Sequence, residues 1–117
     1  MEGNIQPVNN ADGWNGKHPI FKQIIDDIKP SIIVEVGSWK GQSTITMAQL
    51  APNSRIYAID TWIGALEFYT EPTKERDLEK KDGYPQVYYT FLNNLKTHGI
   101  INVEPIPLPS TLGLKYL

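Results

Sequence analysis

The sequence predicts an α/β protein built on a doubly wound parallel sheet, and three observations predict it. Amphipathic helical stretches alternate with short β-branched runs; the first of those runs is almost wholly apolar; and that run ends in a glycine turn opening directly into a helix. All three meet in residues 31–43, S-I-I-V-E-V-G-S-W-K-G-Q-S. Ile32, Ile33, Val34 and Val36 suit a parallel strand covered on both faces, with Glu35 the single interruption. Gly37 and Gly41 let the chain turn and let a ligand approach backbone, and the helix start at Gln42 offers unpaired N–H groups. Such a corner is where α/β proteins hold cofactors.

Length and composition bound the rest. A chain of 117 residues, 40% apolar and 21% charged, is at most one ordinary globular domain. A formal net charge of −2 leaves no electrostatic footprint for nucleic acid. The absence of cysteine rules out disulfides and thiolate metal sites, and His18 and His98 have no metal-ligand spacing, so no metal is expected. The N-terminus lacks the pattern of a signal peptide and no apolar run approaches a membrane span, so the expected setting is cytoplasmic, without a membrane partner.

Taken in order, residues 1–17 are polar and read as an irregular arm, in which Trp14 is either a staple on the first helix or a lid over a pocket. Residues 19–29 form a helix: Ile20, Phe21, Ile24, Ile25 and Ile28 make one apolar stripe, Pro19 suits the first turn and Pro30 forces the end. The strand 31–36 follows, then a helix over 42–51 and a second strand, R-I-Y-A-I-D, over 55–60. Strand, helix and strand form a right-handed βαβ unit with parallel strands. Residues 61–83 break the rhythm; within them 74–82 carry eight charged side chains around Leu78. They read as a solvated surface segment or as an insertion hanging lid-like over the carboxyl ends of the strands, and both hold if the charges lie outside and the Trp62, Phe68 and Tyr69 end faces inward. A third long helix over 85–98 repeats the stripe with Val87, Tyr88, Phe91, Leu92 and Leu95, and Gly99 ends it. The third strand, 102–108, contains Pro105 and Pro107, which confine it to a sheet edge. Ser110 is expected to cap a last helix reaching Leu117.

The strand order is therefore third, second, first. The most apolar strand should be central, yet only one neighbour for it is visible. The expectation is an incomplete sheet: residues 18–117 as the N-terminal part of a larger domain, cut within a helix.

A dinucleotide turn would read G-x-G-x-x-G, whereas this one reads E-x-G-x-x-x-G-x-S, with Trp39 where the middle glycine would admit a pyrophosphate. It is not a Walker loop either. The segments I-V-E-V-G-S-W-K-G-Q-S-T and I-Y-A-I-D-T-W, taken together, resemble the class I S-adenosylmethionine-dependent methyltransferases, and within them the branch with a G-[ST]-x-x-G-x-S-T turn that includes sugar and small-molecule O-methyltransferases. The likeness covers about residues 13–117, the first half of the Rossmann-like domain of that family.

The resemblance implies S-adenosyl-L-methionine as cofactor and a small-molecule acceptor, most simply methylated on oxygen. It implies that Glu35 and the turn 37–41, with Gly37, Ser38, Trp39 and Gly41, hold the methionine end, and that Ser43 meets the methionine carboxylate. Asp60 would accept hydrogen bonds from the ribose hydroxyls, Thr61 and Trp62 would flank the nucleoside, and Ser110 would lie near the adenine. From the residues alone, a carboxylate in an apolar buried strand needs a partner, which favours a ligand at Glu35. No residue reads as a catalytic base. Two alternatives stand beside this expectation: a nicotinamide-dependent oxidoreductase, which would also use Asp60, and a non-catalytic or truncated nucleotide-binding module. The acceptor and the oligomeric state are not encoded in any pattern found here.

Overall fold

The computed structural model describes residues 16–74 and 78–117; Trp14 and most of the N-terminal arm lie outside the described residues. Among the described residues, five helices and five strands follow one another as α1 (Ile20–Ile28), β1 (Ile32–Val36), α2 (Gln42–Leu50), β2 (Arg55–Ile59), α3 (Glu67–Thr70), β3 (Lys80–Lys81), β4 (Tyr84–Pro85), α4 (Val87–Thr97), β5 (Val103–Ile106) and α5 (Ser110–Tyr116). The strands β1, β2 and β5 form a parallel sheet in that order, which is the expected order. Ile33 pairs with Ile56 and Glu35 with Ala58, while Ile56 pairs with Val103 and Ala58 with Pro105.

Because the chain steps across the sheet in one direction, right-handed crossovers put α2 and α4 on the same face. Two clusters form the core there. Ile25 of α1 with Met47, Ala48 and Ala51 packs on Ile56 and Ile33. Ile45 of α2 with Val87, Phe91 and Leu95 of α4 packs around Ala58 and Trp62. Asn102 fastens the two layers: its side-chain amide donates to the carbonyls of Ala51 and Ser54, each at 3.0 Å, holding the end of α2 against the start of β5.

Among the described residues the opposite face carries α5 alone. It comes close enough to β2 that a Cβ on Gly113 would sit 2.6 Å from Ile59 Cγ2. This leaves the outer face of β1 open: Ile32, Val34 and Val36 are 58%, 42% and 55% exposed, so the expectation that β1 is covered on both faces fails. The stripe of α1 is likewise only partly used, since Ile25 is buried while Ile24 and Ile28 remain exposed.

Two local expectations are also corrected. The helix foreseen from residue 85 starts at Val87, because Tyr84–Pro85 pairs with Lys80–Lys81 in a hairpin turning on Asp82 (φ 53°) and Gly83 (φ 84°). The N-cap of α5 is Pro109, in extended conformation, and Ser110 is the first helical residue rather than the cap. At α1, His18 takes a local structural role, its Nδ1 accepting the Ile20 N–H at 3.0 Å.

Candidate functional site

The turn 37–41 and the loop after β2 meet at the carboxyl ends of β1 and β2. Each contains a tryptophan in left-handed conformation, Trp39 at φ 50° and Trp62 at φ 54°. Bulky side chains rarely adopt that region, and holding one there costs about 1–3 kcal/mol. Asp60 supplies the compensation for both. Its Oδ2 accepts the Trp39 N–H at 2.8 Å and its Oδ1 accepts the Trp62 N–H at 2.9 Å. An ionised carboxylate has about four acceptor positions. Two main-chain N–H groups therefore aim this one without using it up.

Asp60 opens into a pocket of about 280 Å³ lined by Gly37, Trp39, Asp60, Gly64, Ala65 and Phe68. Its walls are aromatic: the Trp39 and Phe68 rings stack at 5.7 Å between centroids and 19° between planes. Phe68 belongs to α3, which is tied down by Lys80, whose Nζ donates to the Phe68 carbonyl at 3.1 Å and lies 4.9 Å over the Tyr69 ring. Gly37, at φ 85°, has open space where a Cβ would be, so the pocket reaches main chain there.

Behind the turn stands Glu35, half-buried on β1. Ser43 Oγ donates to its Oε2 and Thr44 Oγ1 to its Oε1. Both partners are neutral and both come from the first turn of α2, where a negative charge is favourable. Each oxygen keeps acceptor capacity for a cation. The Ser43 hydroxyl, which the resemblance sets at the methionine carboxylate together with the N–H groups opening its helix, here donates to Glu35. Ser38, next in the turn, is 3% exposed and its hydroxyl is without a hydrogen-bond partner among the described residues.

No family model matches the sequence, and no curated protein matches it. In three dimensions the chain is similar to the crystal structure of a presumed O-methyltransferase from Klebsiella pneumoniae, with a TM-score of 0.60 and 17% identity over 99% of this chain and 43% of that one. The likeness is one of fold. This chain spans less than half the length of that structure.

Of the residues singled out in the sequence, Gly37, Trp39 and Asp60 meet at the pocket, whereas Glu35, Ser38, Gly41 and Ser43 do not line it. Thr61 and Ser110 do not line it. Trp62 is a correction of another kind. The residue is 2% exposed and its ring packs on Tyr88 and Phe91 at 4.8 and 4.7 Å, so it faces the core rather than a nucleoside. Phe68, Gly64 and Ala65 were not singled out as site residues. Phe68 had been expected to face inward from the 61–83 segment, and that orientation is what brings it onto Trp39. Among the described residues no cluster of His, Cys, Asp and Glu could hold a metal ion, and no helix is long and apolar enough to cross a membrane.

Proposed function

We propose that this chain carries the S-adenosyl-L-methionine-binding part of a methyltransferase that transfers a methyl group to a small-molecule acceptor, most simply to oxygen. The observation that carries the proposal is Asp60: a carboxylate at the end of β2, aimed by two main-chain N–H groups into an aromatic-walled pocket, with acceptor positions left for a ribose diol. The orphaned hydroxyl of Ser38 and the open main chain at Gly37 also fit a polar ligand lying across the turn.

Glu35 favours this cofactor over a dinucleotide. Its carboxylate takes the hydroxyls of the first turn of α2, the place where a pyrophosphate would need N–H groups and no anion. A methionine ammonium is instead attracted there. Trp39 further narrows the approach to backbone that a pyrophosphate would require.

When bound, the cofactor supplies a methyl group on a sulfonium centre already activated for in-line displacement. The chain's own contribution is orientation. Asp60 fixes the ribose end, Glu35 draws the amino-acid end, and the Trp39 and Phe68 rings form a wall that excludes water. Asp60 is the titratable group that lines the pocket, and it is committed to two amides and the ribose, so no base is assigned within this chain.

Calorimetric titration with S-adenosylhomocysteine and with NAD tests the proposal. Binding of the homocysteine compound and not of NAD is expected. Asp60→Ala should weaken it by about tenfold or more, the worth of hydrogen bonds to a charged group. Binding of NAD alone would overturn the assignment.

A further inference from the structure

The turn 37–41 does not hold its own shape. Trp39 lies in a conformation unfavourable for its side chain, and the turn closes on itself through a hydrogen bond from the Gly41 N–H to the Ser38 carbonyl at 2.9 Å. Other hydrogen bonds reach it from outside. The Gly37 N–H donates to the Ile59 carbonyl at 2.8 Å and Asp60 takes the Trp39 N–H. Two successive carbonyls are then taken by buried side chains: Trp62 Nε1 donates to the Trp39 carbonyl at 2.6 Å, and Asn94 Nδ2 donates to the Lys40 carbonyl at 2.9 Å.

These donors reach the turn from 23 and 54 positions further along the chain, one from the loop after β2 and one from α4. Trp62 is 2% exposed and Asn94 6%, so neither can exchange its turn carbonyl for bulk water. A buried indole N–H has one use, as a donor, and leaving it unpaired costs about 1–3 kcal/mol. The same energy therefore acts to keep the two peptide groups turned inward. With both carbonyls held in the core, the Trp39 N–H stays on Asp60 and the Trp39 ring stays against Phe68, which are the two features that form the pocket wall.

We propose that Trp62 and Asn94 are positioning residues of this pocket: neither lines it, and together they hold the 39–40 peptides in the geometry that binds ligand. The inference rests on the cofactor assignment above for its affinity arm and is independent of it for its structural arm. A loop carrying this much external support binds without first having to order itself, which improves affinity by reducing the entropy lost on association.

The test uses the full 117-residue chain with Trp62→Phe, which keeps an aromatic ring and removes the donor, and Asn94→Ala on the other element. Amide hydrogen exchange followed by NMR should show the Trp39 and Gly41 amides exchanging about tenfold faster in each variant, with Ile56 and Ala58 in β2 unchanged. S-adenosylhomocysteine affinity, measured well below each variant's melting temperature, should fall by about tenfold. Faster exchange spread evenly over β2, with affinity intact, would mean that the two residues serve only general stability and would overturn the proposal. So would unchanged exchange at Trp39 and Gly41. If Trp62→Phe does not fold, Asn94→Ala decides. Absence of binding by the parent chain would overturn the cofactor assignment instead, and the exchange measurement would still decide whether the two donors hold the turn.

Discussion

Thr44 is fully buried, and its hydroxyl is spent on Glu35. Thr44→Val keeps the shape and removes the donor, leaving one carboxylate oxygen of a half-buried strand without its partner. A loss of about 1–3 kcal/mol in unfolding free energy is expected, to be read by urea denaturation. The same residues show what a sequence can and cannot disclose. Glu35 and Asp60 were legible because a carboxylate inside an apolar run, or closing one, is out of place unless something engages it. That Glu35 finds hydroxyls one helical turn into α2 was not legible, although Ser43 and Thr44 stood in view, because hydroxyls are ordinary at helix starts. Trp62 was misplaced for a related reason: its position beside Asp60 says nothing about which way its ring turns, and burial against Phe91 on a distant helix decided that.

At the scale of elements, α5 depends on one missing methyl group. Gly113→Ala would improve intrinsic helix propensity by about 1 kcal/mol, but its Cβ would stand 2.6 Å from Ile59 Cγ2 against a strand that cannot retreat. The clash should win. A net destabilisation of about 1–3 kcal/mol is expected, measurable as a lowered melting temperature. Helix and strand periods marked α1, β1, α2, β2 and β5 closely, since each packs at least one apolar side on a neighbour. The β3–β4 hairpin was missed despite its signal, the Asp82–Gly83 pair between Lys81 and Tyr84. The surrounding run of charges drowned the short alternation of a hairpin with only two residues in each strand.

At the scale of the molecule, the two borders of the sheet are unlike. The Ile56 N–H bonds to the Asn102 carbonyl and the Asp60 N–H to the Ile106 carbonyl, so even-numbered residues of this stretch face β2 and Pro105 and Pro107 face outward. On the other border the Gly37 N–H turns inward to Ile59, which leaves Ile32, Val34 and Val36 pointing their main-chain groups away from the sheet. With those side chains also exposed, this border is a template for pairing. Concentration-dependent association of the 117-residue chain is expected in sedimentation experiments, and Val34→Lys should shift it toward monomer without altering the circular dichroism of the fold. The strand order was readable from the crossovers and the prolines. The openness of the outer face of β1 was not, because an apolar run looks the same whether one side of it is covered or both.

The prolines of β5 give this sheet a direction of growth. Accretion is blocked on one flank and invited on the other, and the inviting flank ends beside Gly37, at the rim of the ligand pocket. Any polypeptide that joins there arrives with its own strand terminus beside Gly37, next to the aromatic wall of that pocket. Adding a strand and adding a wall to the pocket would then be a single event.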